Sequence, residues 1–379
     1  MQQVKSVRSK GLYIHLPFCS SKCWYCDFYS RPYGRSEAGA YVAALERERD
    51  IRFSQFPWGD GASVPVWDTA YIGGGTPSVL PFDLLERVLR IPRVITGGEY
   101  TIEANPEQVS RDWLLRIMDA GVNRVSMGVQ SFDSALLDAV GRQHQPGRAV
   151  QAIEALALSG INFSLDLIYG LPGQTVDGWH DALRRMFEIR PPHFSAYLLS
   201  YEPGTRLYAR LMAGKTVEAS EEMAEEMYHI LCSEAACTGY HHYEVSNFAL
   251  PGSEAKHNSS YWDGTPYIGL GCSAHSFDGI NRAANPASVS QYVRDLSLGK
   301  LPLEVEESTP LDRLNDDIIT SLRTSRGFLL PVDAPSALSE VVRRHLQAGT
   351  LVAVPGGRVA IPEALWLRSD AVMRDLIQV

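Results

Sequence analysis

Long apolar runs are missing from this chain: nothing in its 379 residues approaches the eighteen or so that cross a bilayer as a helix. The opening MQQVKSVRSKGLYIHLPFC carries charge but no apolar segment of the kind that marks a secretory leader, so a cytoplasmic protein, not an integral membrane one, is expected. Basic clusters are absent as well. Lys5, Arg8 and Lys10 are too scattered to form a functional tail, and a formal net charge of −9 argues against non-specific binding to nucleic acid. There is no low-complexity segment and no internal repeat beyond an alternation of strands and helices. Cysteine is scarce, six in all, and in a reducing compartment these are expected to be thiols or metal ligands, not disulfides.

Three of the six stand together, as Cys19-Ser-Ser-Lys-Cys23-Trp-Tyr-Cys26, a C-x3-C-x2-C spacing with no further cysteine before Cys232. A structural zinc or a cluster held entirely by protein needs four ligands. Three thiolates on one short loop suit three corners of a [4Fe–4S] cube and leave one iron open to a small molecule. Zinc is the competing reading, with His15 as the nearest fourth ligand, but His15 lies in an apolar strand. Phe18, Trp24, Tyr25 and Phe28 are placed to shield a cluster and wall one side of its site. Cys232, Cys237 and Cys272 read as buried apolar thiols.

Short β-rich runs recur through the first two hundred residues: Leu12–Leu16, Ala70–Ile72, Tyr100–Glu103, Arg124–Val129, Phe163–Ile168 and His193–Leu198. Helical patterns separate them. Ser36–Phe56 carries Glu46-Arg47-Glu48-Arg49 as a polar face; Phe82–Leu89, Ser110–Ala120 with Ser110 as its cap, Ser134–Val140, Arg148–Leu158 and Asp177–Ile189 follow. Six such units predict a parallel sheet with right-handed crossovers, either open and doubly wound or a partial (β/α)6 barrel. In both, ligands bind beyond the carboxyl ends of the strands. Those ends carry the cysteine loop, Gly73-Gly74-Gly75-Thr76-Pro77, Glu103-Ala-Asn105-Pro106, Gln130, Asp166 and Tyr197. The expected division is a barrel over 1–205, a flanking helical region over 206–305 and a smaller winged-helix-like α+β module over 306–379. The last contains helices Asp312–Leu322 and Pro335–Ala348 and a hairpin of Thr350–Val354 with Arg358–Ile361. The acidic balance favours a structural or protein-contact role for it over DNA binding.

With an aromatic residue before its last cysteine, the loop resembles that of the radical S-adenosylmethionine (SAM) enzymes. Tyr13-Ile-His-Leu-Pro-Phe-Cys19, Gly73 to Pro77, Glu103 to Pro106, Met127-Gly-Val-Gln130 and Asp166-Leu-Ile-Tyr-Gly-Leu-Pro172 together resemble the oxygen-independent coproporphyrinogen III dehydrogenase family over nearly the whole chain. Two departures matter. The dehydrogenase branch has a further cysteine where this chain has Phe28, and a longer extension ahead of its cluster motif. Phe28 and the His257-Asn-Ser-Ser-Tyr261-Trp262 run instead resemble the heme-chaperone branch, HemW.

That resemblance implies a [4Fe–4S] cluster on Cys19, Cys23 and Cys26, with SAM on the open iron. Gly74, Gly75 and Thr76 expose backbone groups suited to the SAM amino group. Glu103 can bond that amino group or the ribose; Gln130, Arg142 and Asp166 match family positions that contact SAM, with Arg142 able to pair with a carboxylate. Tyr13 and Tyr25 flank the cluster. Heme is the further ligand implied. His257 is the leading axial candidate, with Tyr261 and Trp262 covering a macrocycle face and with His241, His242 and His275 as alternatives. The expected function is a heme chaperone that passes heme to an acceptor protein, membrane or respiratory; the alternative is a radical SAM oxidoreductase that decarboxylates coproporphyrinogen III.

Overall fold

The computed structural model describes residues 10–54, 65–142 and 146–378. Lys5, Arg8 and the last two residues of the expected Ser36–Phe56 helix lie outside them. The first part of the chain runs β1 (Gly11–Leu16), β2 (Phe18–Cys19), β3 (Arg31–Pro32), α1 (Arg35–Ser54), β4 (Trp67–Gly74), α2 (Phe82–Leu89), β5 (Val94–Ala104) and α3 (Arg111–Asp119). It continues through β6 (Arg124–Gln130), α4 (Ser134–Ala139), α5 (Pro146–Ser159), β7 (Asn162–Tyr169), α6 (Val176–Ile189) and β8 (His193–Leu198). Local signals place the helix ends: Ser110 Oγ accepts the Trp113 amide at 3.2 Å, and α6 stops at Arg190 in a left-handed conformation, just before Pro191.

Strands β1, β4, β5, β6, β7 and β8 pair in that order, all parallel. Their residues alternate in character. Val125, Met127, Val129, Leu165, Leu167, Phe194 and Ala196 point into the apolar core. Between them, Arg124, Ser126, Gly128, Ser164, Asp166, His193 and Ser195 face a central cavity. A strand with helices on one face and a polar lumen on the other must alternate in this way. The fold is α/β, a partial (β/α)6 barrel.

Beyond β8 come α7 (Arg206–Met212), α8 (Glu221–Cys237), β9 (His241–Glu244), β10 (Asn247–Ala249), α9 (Lys256–Trp262), β11 (Tyr267–Leu270), β12 (His275–Phe277), β13 (Arg282–Ala284), α10 (Val289–Ser297) and β14 (Glu304–Glu306). This region is more than helices flanking the barrel. Its short strands extend the sheet at both edges, giving β14-β13-β12-β11-β1 on one side and β8-β10-β9 on the other. Glu48 is also not on a solvent face: it is fully buried and accepts bonds from the Gly271 amide, the Asn285 side chain and the Tyr292 hydroxyl at 2.7, 2.7 and 2.6 Å. These bonds tie α1 to the β11–β12 turn and to α10.

The chain ends with α11 (Pro310–Ser321), α12 (Ser336–Ala348), the hairpin β15 (Val352–Val354) and β16 (Arg358–Ala360), and α13 (Ser369–Leu376). Phe328 bridges Val359 beside the hairpin. Ile318, Leu338, Trp366 and Leu376 from this part belong to the same continuous apolar core as Leu12, Ile72 and Phe194 of the barrel. No helix of the described residues is long and apolar enough to cross a membrane.

Candidate functional site

The cavity inside the sheet has a volume of about 440 Å3 and opens at the carboxyl ends of the strands. Cys19, Cys23 and Cys26 line it from the loop that follows β1. Three sets of contacts hold that loop. Phe18 and Cys19 pair with Arg31 and Pro32 in the small β2–β3 ladder. The Gly-rich turn after β4 crosses beneath, where Gly75 N donates to Leu16 O and Thr76 N to Phe18 O at 2.8 and 2.7 Å. Trp24 N donates to Val140 O, Leu207 N donates to Trp24 O, and the Arg206 and Arg210 guanidiniums lie over the Trp24 ring at 4.3 and 4.6 Å. The crossing explains the glycines. A Cβ on Gly75 would stand 2.6 Å from Phe18 O, and one on Gly74, whose φ is +108°, would stand 2.5 Å from the His15 ring.

The thiols are bonded at their margins. Thr76 Oγ1 donates to Cys19 Sγ at 3.6 Å and Arg142 Nη1 to Cys23 Sγ at 3.3 Å. Burial raises the pKa of Cys19 and pushes that of Cys26 up to about 11, and each is raised further by the charge of the neighbouring cysteines. Such a set of thiols favours a cation that replaces their protons. His15 supplies no fourth ligand: it bonds the Tyr29 carbonyl through Nε2 at 2.9 Å and the Tyr13 hydroxyl through Nδ1 at 3.0 Å, and it does not line this cavity. That geometry leaves the zinc reading without its nearest fourth donor and fits a three-cysteine cluster loop.

Polar groups surround the space beyond the thiols. Glu103 accepts from Tyr71 Oη at 2.8 Å and from Gly74 N at 3.0 Å. Loss of water raises its pKa to about 7; the charge of Asp166 adds to the rise and the two hydrogen bonds oppose it. Asp166 accepts from Ser195 and Ser126 at 2.8 and 3.3 Å, and burial raises its pKa as well. Arg142 Nη2 donates to Asn105 Oδ1 and Gly128 O at 2.7 and 2.8 Å. Burial works against the Arg142 charge, but Tyr25 and Cys23 outweigh it and leave the pKa raised, so a fixed cation stands next to the cysteine loop. Gln130 sits at a break in the β6–β7 register with φ of +64°, a strained backbone at the cavity rim.

Tyr13, Tyr25, Gly74, Gly75, Thr76, Glu103, Gln130, Arg142 and Asp166 are therefore brought together with the three cysteines. His257 is not. It is fully buried, with Nδ1 on Thr69 Oγ1 and Nε2 on Tyr261 Oη, both at 2.8 Å, and its ring stacks on Tyr71. Burial lowers its pKa to about 3. In this arrangement both ring nitrogens are engaged in hydrogen bonds to side chains of the protein. Tyr71, Arg124, Ser126, His193 and Ser195 also line the cavity and were not singled out from the sequence. The signal that finds them is the two-residue alternation with Gly73, Gly128, Asp166 and Tyr197 along their strands.

A second cavity, of about 870 Å3, lies behind the cysteine loop. Tyr13, Asp27 and Phe28 line both spaces. Its other walls include Tyr261, Trp262, Tyr267 and Phe277, with Arg282 and Arg313 as cations. His275 lines it too, exposed and without a side-chain hydrogen bond among the described residues.

The radical SAM superfamily matches residues 13–186. The chain is 34% identical over 325 residues to the heme chaperone HemW of Bacillus subtilis (strain 168), covering 84% of each chain. It is 32% identical over 378 residues to heme chaperone HemW of Mycobacterium tuberculosis (strain CDC 1551 / Oshkosh), covering 97% of this chain and 94% of that one. With heme chaperone HemW of Escherichia coli (strain K12) it shares 38% identity over 274 residues, 70% of this chain and 69% of that one. Among solved structures, coproporphyrinogen III oxidase (HemN) from Escherichia coli, a radical SAM enzyme, superposes with a TM-score of 0.83 over 98% of this chain and 90% of that one, at 22% identity; this likeness shows a shared fold.

Proposed function

The chain belongs to the heme chaperone HemW family of the radical SAM superfamily, and from that membership we propose that it is a heme chaperone, carrying heme beside a SAM-liganded [4Fe–4S] cluster and delivering it to an acceptor protein. The observation that carries the reading is the pair of adjoining cavities, one ringed by thiols and polar strand ends, the other walled by aromatic rings, with Tyr13, Asp27 and Phe28 between them.

Cys19, Cys23 and Cys26 would hold the cluster. The chemistry such a cluster supplies when bound is an open coordination position for SAM and one-electron reduction. Glu103 receives the SAM ammonium group, beside the exposed backbone of Gly74, Gly75 and Thr76. Asp166 and Gln130 offer acceptors and a donor to the adenosine. Arg142 keeps positive charge against the carboxylate end and against Cys23. Tyr13 and Tyr25 wall the site from water.

Heme is assigned to the second cavity, whose volume accommodates a flat macrocycle. Phe28, Trp262 and Phe277 provide apolar faces, and Arg282 and Arg313 provide cations for propionates, Arg282 being shared with Asp316 at 2.8 Å. His275 has the ring nitrogen free for iron. The acceptor is a heme-binding protein at a membrane or in a respiratory chain. The chain works in the cytoplasm.

A heme titration of anaerobically purified, cluster-loaded protein tests this. His275→Ala is expected to weaken binding about tenfold or more, a loss of roughly 1.4 kcal/mol, and to shift the Soret band. His257→Ala is expected to lower thermal stability and to leave the Soret position of the folded protein unchanged. An unaltered spectrum and affinity in His275→Ala would overturn the heme assignment. Conversion of coproporphyrinogen III to protoporphyrinogen in the presence of SAM and reductant would replace the chaperone with the decarboxylating enzyme.

A further inference from the structure

At the β9 edge of the sheet, three side chains from three elements converge. Cys232 comes from α8, His242 from β9, and Glu363 from the 3-10 turn Glu363–Arg368 that precedes α13. Cys232 Sγ lies 3.9 Å from His242 Nδ1, Glu363 Oε1 lies 2.9 Å from the same nitrogen, and the three donor atoms all fall within 4.8 Å of one another. Among the described residues it is the single group of this kind. The expectation that Cys232 and Cys237 are buried apolar thiols does not hold: Cys232 is half-buried against His242, and Cys237 is exposed. Cys272 is buried.

The convergence of the three donor atoms carries the argument, and the far side of the histidine agrees with it. Nε2 lies 3.2 Å from the carbonyl oxygen of Val245, which can only accept, so Nε2 bears the proton. In the neutral ring Nδ1 is then a bare lone pair, aimed at a carboxylate oxygen and a sulfur. Acceptors do not meet at 2.9 Å without a positive centre between them. The ring is 3% exposed, stacked on Phe248 at 4.0 Å and capped edge-on by Trp366 at 4.4 Å, so it is held in one orientation with Nδ1 toward the carboxylate and the sulfur. A histidine whose far nitrogen donates to a backbone carbonyl while its near nitrogen faces a thiol and a carboxylate is arranged as a metal ligand is. The Tyr228 hydroxyl fixes the third ligand by donating to the backbone carbonyl of Glu363 at 2.8 Å.

We propose that Cys232, His242 and Glu363 bind a zinc ion, with solvent in the fourth position. Sulfur, imidazole and carboxylate together match zinc better than calcium or magnesium, which prefer oxygen alone. The Glu363 side chain is 50% exposed, so the remaining position opens to water. The ion would clasp the C-terminal segment, through Glu363, to α8 and β9 at the sheet edge. The inference is independent of the heme and SAM assignments.

Metal analysis of the cluster-loaded full chain, after dialysis against a weak chelator, is expected to find about one zinc per chain held by a folded-state site. Cys232→Ala should lose it, and Glu363→Gln, at a half-exposed position where folding is safe, should weaken it about ten- to a hundredfold. Cobalt added to the full chain carrying Cys19→Ser, Cys23→Ser and Cys26→Ser should give intense tetrahedral d–d bands and a thiolate charge-transfer band, the latter absent when Cys232→Ala is added. The cobalt arm excludes metal held in the cluster loop. Folded parent protein that retains no zinc, or cobalt spectra identical with and without Cys232, would leave a plain imidazolium–carboxylate pair and overturn the proposal.

Discussion

Glu103 is a carboxyl group held close to its own titration point. Its folded-state pKa of about 7 lies above that of the unfolded chain, so the neutral acid stabilises the fold at low pH and that contribution is lost as pH rises through about 7. A cationic ligand needs the opposite form. SAM affinity of the cluster-loaded protein is therefore expected to tighten as pH rises through about 7, and in Glu103→Gln to be flat with pH and about tenfold weaker, as equilibrium dialysis would measure. An unchanged pH profile in the variant would remove Glu103 from the ammonium site. Residue-level reading from sequence picks out side chains at strand ends next to an unusual backbone, and Glu103 and Gln130, read in that way, both line the cavity. It could not foresee the partners of His257. The motif around it marks an important residue, but Thr69, which takes its Nδ1, is 188 positions away, and nothing local tells that both nitrogens are spent.

At the level of elements, the six barrel strands were legible because parallel strands packed under helices carry dense apolar residues. The alternation inside those runs was the better signal, since it also identifies the lumen. Past β8 the pattern fades for a physical reason: the added strands are only three or four residues long, too short for a two-residue alternation to stand out. Helix α1 shows the same blindness to distance. Glu48 sits in a run of charges that reads as solvated, while its partners Gly271, Asn285 and Tyr292 lie more than two hundred residues downstream. Glu48→Ala would leave the Gly271 amide and the Tyr292 hydroxyl without their acceptor and the largely buried Arg52 without its carboxylate, and is expected to cost about 3–5 kcal/mol, read as a lowered denaturant midpoint with an unchanged slope. A change below about 1 kcal/mol would show that water replaces the carboxylate there.

On the scale of the whole molecule, the C-terminal segment shares one apolar core with the barrel. A single cooperative thermal transition is expected, with intrinsic fluorescence and far-ultraviolet dichroism coincident; two separated transitions would show that the segment holds its own core. The two cavities are joined in the same way, through the short stretch Asp27–Phe28, whose Phe28 side chain is 66% exposed at the lip between them. A segment that serves as wall to two chambers cannot adjust to an occupant of one without altering the other. Occupancies joined in this way obey thermodynamic reciprocity: by whatever factor SAM changes the protein's grip on heme, heme must change its grip on SAM by the same factor. With heme in the second chamber as proposed, release of cargo would be felt at the cofactor end by that same factor, and measurements on the two sides of Phe28 would have to agree on it.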